Sequence, residues 1–137
     1  MWWIFALLST FFAGLTAVLG KMGVKNVDTD LATAVRSIVI LIMTWVIMLF
    51  KGSSNSINLL TKQNILFLLL SGIATGLSWI FYYKALQSGK VSQVAPVDKL
   101  SVVFALILSA AFLGETLSLK EMAGAGLIVA GALVIIW

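Results

Sequence analysis

Four charged residues lie inside apolar stretches of the sequence, where charge is costly. The stretch VAPVDKLSVV, residues 94–103, places Asp98 and Lys99 side by side, and Arg36 and Lys84 lie in other apolar runs. A charge at the centre of a membrane-spanning helix costs about 2.5–3.5 kcal/mol on insertion scales, and such residues usually face a cavity or a partner. These four residues are therefore the first candidates for chemistry.

Asp98 has a short side chain that cannot reach far. If its helix begins near Val91, Asp98 lies roughly 10 Å into the span, where it needs a partner, water or a proton. Adjacent residues on a helix do not face each other, so Lys99 is predicted to be a poor partner and to line an aqueous space or reach lipid headgroups. Arg36, Lys84 or Lys21 is expected to meet Asp98 across a helix interface.

Two interpretations of Asp98 stay open. It is either half of a structural ion pair that locks the helices, or a proton- or substrate-binding group in a translocation cavity. Pro96, two residues earlier, can bend a membrane helix where it borders a cavity, although a proline in the first turn is also an ordinary helix start. Arg36 and Lys84 lie near span ends, from which their long side chains can also extend to the interface.

An aromatic and hydroxyl stripe precedes this region. Thr75, Trp79 and Tyr83 are spaced at i, i+4 and i+8, with Ser78 and Tyr82 alongside. Such a stripe can line a pocket for an amphipathic solute, including a cationic group held over the ring faces. It also fits ordinary packing with an interfacial aromatic belt.

The composition places these residues in an integral membrane protein. Of the 137 residues, 61% are hydrophobic and 10% are charged, against about a quarter charged in soluble domains. Cysteine and histidine are absent, which removes the commonest nucleophilic, metal-binding and proton-shuttling side chains. We expect no enzyme activity, no metal and no cofactor. The net charge of +4 comes from lysines near span ends and indicates topology signals rather than nucleic-acid binding.

Five segments are long and apolar enough to span a bilayer, which predicts an all-α membrane protein with five transmembrane helices. They run approximately over residues 2–20, 31–50, 64–86, 94–113 and 119–137. The first segment has no basic leader before it, so it is expected to remain as a span rather than a cleaved signal peptide. Thr29 or Asp30 is the expected N-cap of the second span, Gly89 the expected C-terminal cap of the third, and Ser118 with Glu121 a capping box for the fifth.

The charges of the connecting loops give little preference for one orientation. One face carries Lys51, Lys62 and Lys120, whereas the other carries four lysines with Arg36 leaning towards it. This weak bias favours dual topology, in which two copies insert in opposite directions and build an inverted-repeat assembly around a site near the midplane. The alternative is a single fixed orientation.

The segment ALQSGKVSQVAPVDKLSVVFALILSAAFLGETLSLKEMAGAGLIVAGALVI, residues 85–135, resembles the EamA-type domain of the drug/metabolite transporter superfamily. The matching features are a short helix link, a span, a turn at Gly114 and Glu115, and a last span with spaced glycines that include Gly124 and Gly131. Lys21 and Arg36 also fit the pattern of the family. The resemblance covers the whole chain, which makes residues 1–137 a single five-span domain.

The resemblance implies one half of an inverted-repeat transporter fold, because its usual members carry two such units in opposite orientation. A single unit then implies a homodimer, and the inverted repeats imply that the dimer is antiparallel. The resemblance implies a structural role for the turn at Gly114 and Glu115. The other residues expected to be structural are Lys21, Lys84, Pro96, Gly124 and Gly131. The superfamily's four-helix multidrug exporters depend on an acidic residue in the first span; this chain has none there, and Asp98 is the intramembrane acid that would replace it.

These observations predict a secondary active transporter in the cytoplasmic membrane that exports a small metabolite or amphipathic solute by alternating access. Arg36 and Lys99 would meet a carboxylate, while Asp98 with the aromatic group of Trp79, Tyr82 and Tyr83 would meet an amine or an apolar part. A zwitterion such as an amino acid fits both. The alternative is a non-transporting accessory subunit of a larger membrane complex.

Overall fold

The structure, a computed structural model, is built from α-helices. It describes the backbone of residues 1–137 and every side chain except those of Ser54 and Asn55. The α-helices are α1 (Trp2–Gly23), α2 (Thr29–Phe50), α3 (Lys62–Ser88), α4 (Val91–Asp98), α5 (Ser101–Leu108) and α6 (Leu119–Ile136). A 3-10 helix over Ser53–Leu59 and a π-helical turn over Ser109–Leu113 complete the regular structure.

Five stretches are long and apolar enough to cross a membrane. Four of them are α1, α2, α3 and α6, and the fifth is Val91–Leu113, which contains α4, α5 and the π-helical turn. The prediction of five spans is confirmed, with each span beginning or ending within about three residues of the expected position. Such shifts are within the ordinary uncertainty of helix ends, which fray and wind tightly in their last turn.

The chain divides into two compact units. The first unit contains Met1–Lys21 and Ser88–Trp137, and therefore most of α1 together with α4, α5 and α6. The second unit is Met22–Gln87 and contains α2, the 3-10 helix and nearly all of α3.

Few of the described side chains are buried within the chain. The buried apolar residues are Ala17, Val24, Tyr83, Leu86 and Ala132, and Thr29 and Thr33 are the buried polar ones. Large apolar side chains along all five spans are exposed. In water this surface would be unfavourable, whereas hydrocarbon solvates it as well as a protein interior does. The outer faces of the helices are therefore suited to contact with lipid or with another membrane-embedded chain.

Helix α2 begins on an aspartate that caps its N-terminus. The Asp28 Oδ1 atom accepts hydrogen bonds from the backbone N–H groups of Asp30 and Leu31, both at 3.0 Å. The expectation of Thr29 or Asp30 as the cap was wrong, because the helix starts before its first apolar residue. Thr29 lies inside the helix instead, where it is buried and its carbonyl accepts from the Thr33 hydroxyl at 2.8 Å.

Helix α6 begins with the predicted capping box. The backbone N–H of Ser118 donates to Glu121 Oε2 at 2.7 Å, and the backbone N–H of Glu121 donates to Ser118 Oγ at 3.3 Å. These reciprocal bonds satisfy two of the N–H groups that a helix start leaves without intrahelical partners. Glu121 is thereby accounted for by local structure.

The span Val91–Leu113 is interrupted, although the sequence suggested one continuous helix. Helix α4 ends at Asp98 and α5 starts at Ser101. At the interruption the N–H of Leu100 donates to Val97 O at 3.0 Å and that of Val102 donates to Lys99 O at 3.1 Å, so the chain tightens to 3-10 geometry. Pro96 lies in the interior of α4, where its missing N–H and its ring weaken the helix just before it ends.

The same span ends in the turn that contains Gly114 and Glu115. Gly114 has a φ of 68°, in the left-handed region that favours glycine. The N–H groups of both residues donate to the carbonyl of Ser109, which closes the π-helical turn. A left-handed glycine here stops the helix and lets the chain reverse towards α6.

Replacing the capping aspartate tests the observed start of α2. Asp28→Ala should lower the free energy of unfolding by about 1 kcal/mol, because two backbone N–H groups lose their acceptor. Asp28→Ser should retain most of the stability, since serine caps helices about as well as aspartate. Unfolding of the purified protein in detergent, followed by far-UV circular dichroism, measures both. Equal losses in the two variants would contradict the cap.

Candidate functional site

The six residues expected to contact substrate or protons fall into two groups. Arg36, Trp79, Tyr82 and Tyr83 belong to the second unit, on α2 and α3. Asp98 and Lys99 belong to the first unit, at the interruption of the fourth span. Each group is brought together by its own local structure.

The Arg36 side chain lies on the ring of Trp79. Its guanidinium carbon, Cζ, is 3.3 Å from the centroid of the indole ring, and the arginine is half-buried. A cation at this distance over a tryptophan face is attracted by the ring quadrupole, with about 0.5–2 kcal/mol of stabilisation depending on desolvation. The contact joins α2 to α3.

Two tyrosines surround the same tryptophan on α3. Tyr82 and Tyr83 meet Trp79 edge to face, with ring centroids 5.3 Å and 5.5 Å away. These spacings of three and four residues place all three rings on one helix face, as the stripe in the sequence predicted. Tyr83 is buried, so this aromatic group is packed rather than loose. One face of Trp79 is occupied by the protein's own cation instead of being open to a cationic solute.

An ion pair joins the same two helices nearer to their ends. Lys84 Nζ is 3.6 Å from Asp30 Oδ1, and the two side chains are 53% and 62% exposed. Three residues further along α3, Gln87 Nε2 donates to the carbonyls of Val24 and Val27 at 3.0 Å and 2.8 Å. Asp30 was expected to cap a helix, and its pairing with Lys84 was not predicted. The available signal was that both residues lie at the same membrane face, one at the start of α2 and one near the end of α3.

Asp98 is paired with its neighbour in sequence. Lys99 Nζ is 3.4 Å from Asp98 Oδ2, with the side chains 54% and 36% exposed. The expectation that Lys99 would be a poor partner was wrong, because it assumed a continuous helix. Since α4 ends at Asp98, Lys99 is a cap residue and its long side chain can bend back. The expected partner Lys21 donates instead to the Gly89 carbonyl at 2.8 Å, at the link between α3 and α4.

Lys99 also stands at the edge of a groove between α4 and α6. The groove has a volume of about 440 Å³, and its other lining residues are apolar: Ala95, Pro96, Leu127, Ile128, Gly131, Ala132 and Ile135. Gly131 offers no side chain, which leaves space beside Lys99. Gly124 lies about two turns earlier on α6, and a Cβ atom there would meet no heavy atom within 4 Å. The structure therefore brings together four expected residues of this unit. Asp98 pairs with Lys99, and Lys99 lines the groove together with Pro96 and Gly131.

Comparison with known proteins gives this arrangement a context. The model of the EamA-like transporter family matches residues 1–137. The chain belongs to the EamA-like transporter family. A similar protein is an uncharacterized transporter in the cobO 3′ region of Sinorhizobium sp., 44% identical over 134 residues, covering 98% of this chain and 95% of the relative. The two proteins are of nearly equal length, which fits a half-size member of the EamA-like family.

A second relative is more distant. It is an uncharacterized protein of Methanocaldococcus jannaschii, 33% identical over 78 residues, which covers 56% of this chain and 57% of the relative. The comparison with solved structures found no match. The family and the Sinorhizobium relative together assign a transport role to this multi-pass membrane protein, and a transporter is not an enzyme.

A double-mutant cycle tests the pairing in the interrupted span. Asp98→Asn and Lys99→Met should together destabilise less than the sum of the single changes, with a coupling of about 0.5–1 kcal/mol because both groups are partly exposed. Thermal unfolding in detergent provides the four free energies. As a control, Lys120→Met at the start of α6 should combine additively with Asp98→Asn. A coupling of zero for Asp98 and Lys99 would refute the pairing.

Proposed function

We propose that this EamA-like protein is a secondary active transporter that exports a small metabolite or amphipathic solute. In this proposal the whole chain, residues 1–137, works as one transmembrane domain in the cytoplasmic membrane, paired with a second copy. The observation that carries the proposal is the interruption of the fourth span at Asp98 and Lys99, in a chain that the transporter family matches over its full length.

Interrupted helices are a recurring feature of secondary transporters. In this chain Lys99 and Leu100 keep right-handed helical dihedrals at the break, and their N–H groups donate to Ala95 O and Val97 O, so the break is a change of helical geometry with backbone partners retained. Transporters use such breaks to present charged and backbone groups to substrates and coupling ions. Asp98 and Lys99 at the break of α4 and α5 fit this use, and the Asp98 side chain is 36% exposed rather than enclosed within the chain.

The proposed assembly is an antiparallel homodimer. The large apolar area exposed along the five spans is suited to a membrane-embedded partner as well as to lipid. The nearly balanced lysines on the two faces are compatible with insertion in both directions. Two opposed copies would reproduce an inverted repeat, and alternating access would follow from rocking one copy against the other.

Transport itself is tested in liposomes with an imposed pH gradient, using a panel of amino acids and other small metabolites. The wild-type protein should move at least one solute in response to the gradient. Asp98→Asn should abolish this pH dependence, because an amide cannot exchange a proton, while the variant elutes in size-exclusion chromatography as the wild type does. Unchanged pH dependence would assign Asp98 a structural role only.

Absence of flux for the whole panel, together with capture of a specific membrane partner, would instead favour the alternative of an accessory subunit. That outcome would contradict the transporter proposal irrespective of Asp98. The exposed apolar helix faces would then be contact surfaces for the other protein.

Antiparallel insertion is tested by single cysteines, since the natural chain has none. Ser92→Cys and Thr116→Cys introduce exposed thiols at opposite membrane faces. In intact cells a membrane-impermeant maleimide should label about half of the molecules of each variant if the orientation is dual. Labelling of one position completely and of the other only after lysis would show a single orientation.

A further inference from the structure

Arg36 is a cation within a membrane span, and its contact in the described part of the chain is an aromatic ring rather than a carboxylate. Among the residues that the structure describes, none accepts a hydrogen bond from its guanidinium and none supplies a carboxylate within ion-pair distance; its contact is with the ring of Trp79. By contrast, the cations of Lys84 and Lys99 each have a carboxylate partner. A charge retained in a span without a counter-ion usually serves function.

The geometry of the contact leaves the donors of Arg36 available. Guanidinium C–N bonds are about 1.3 Å long, so an edge-on approach at the observed Cζ distance of 3.3 Å would force a nitrogen to roughly 2 Å from the ring. The guanidinium is therefore stacked flat on the indole. Its N–H groups then point outward, parallel to the ring plane. Among the described side chains, no nitrogen is both fully buried and unpaired, so the Arg36 nitrogens without an acceptor are accessible at the surface of the chain.

The surroundings of Trp79 hold this arrangement in place. Tyr82 and Tyr83 pack against the indole edge to face, and buried Tyr83 fixes that side of α3. A stacked guanidinium with its planar fork exposed matches the two oxygens of a carboxylate or phosphate. The same site is unfavourable for a cationic ligand, because the ring face that would attract it is covered by a fixed positive charge.

We propose that Arg36, held flat on Trp79, binds an oxyanion of the transported solute, and that the solute is a small carboxylate rather than a cation. This inference rests on the proposed transport function and names its substrate class. Arg36 lies about 10 Å from the start of α2, within the apolar part of the span. At that depth a bound carboxylate offsets the positive charge of the arginine in an apolar environment, and the attraction between the two compensates the desolvation of the carboxylate.

The experiment uses benzoate as the anionic probe, with benzamide and benzylamine as neutral and cationic probes of similar shape. Benzoate should raise the melting temperature of the purified protein in a concentration-dependent manner, whereas the other two should not. Arg36→Lys should weaken benzoate binding about tenfold, because an ammonium group lacks the planar fork, and Arg36→Gln should abolish it. Trp79→Leu should also weaken binding, since the guanidinium loses its support.

Matched controls keep the test specific. Lys51→Gln removes a cation at the opposite end of α2, and Trp45→Leu removes a tryptophan from the same helix; both should bind benzoate as the wild type does. A response to benzamide or benzylamine equal to that of benzoate, or undiminished binding by Arg36→Gln, would overturn the proposal. No response to benzoate in the wild type would overturn it as well.

A lipid phosphate is the other source of an oxyanion, and nanodiscs distinguish the two. If phosphatidylglycerol stabilises the wild type but not Arg36→Gln, while benzoate has no effect, the site binds a headgroup and the solute proposal is wrong. Benzoate counterflow in liposomes separates this inference from transport itself. Flux that does not depend on Arg36 would refute the inference alone, whereas Arg36-dependent binding without flux would refute the transport function alone.

Discussion

The cost of placing charge in hydrocarbon governs the polar contacts of this protein. Lys84 and Asp30 pair across α2 and α3, Lys99 folds back on Asp98, and Arg36 rests on an aromatic ring. The first two arrangements reduce the cost of a cation in or near a membrane span by an ion pair, and the third does so by a cation–π contact. The first two are partly exposed ion pairs of modest strength, and the third leaves hydrogen-bonding capacity unused. This difference is why the proposed oxyanion site is placed at Arg36.

The same constraint explains the fourth span. A proline in the interior of α4 weakens the helix, and the chain tightens around Asp98, Lys99 and Leu100 before α5 resumes. The N–H groups of Leu100 and Val102 keep backbone acceptors there, which lipid could not have replaced. An apolar groove lies beside Lys99, between α4 and α6. The chain belongs to a family of transporters, and the proposed function assigns this irregular span to the transport site.

Local rules predicted most of the secondary structure. Five apolar runs of bilayer length define five spans, and the Ser118 and Glu121 pattern defines the start of α6, because both depend on residues close in sequence. The cap of α2 was misplaced because three neighbouring residues, Asp28, Thr29 and Asp30, are all suitable caps. Choosing among them requires knowing where the buried face of the helix lies, and that depends on contacts of Thr29 and Thr33 within the fold.

The sequence by itself determined the class of protein, the number of spans and which charged residues lie inside them. Hydropathy and the free-energy cost of burying a charge depend on the type of each residue and its place in an apolar run. Only the tertiary structure decided which charges meet. Asp98 turned to Lys99 because the helix ends between them, and Lys84 met Asp30 because α2 and α3 bring those ends together. The stacking of Arg36 on Trp79 joins residues 43 positions apart on two helices, and no local pattern specifies such a contact. The sequence therefore shows that the charged residues in the spans need partners, and the packing of the helices determines which partners they have.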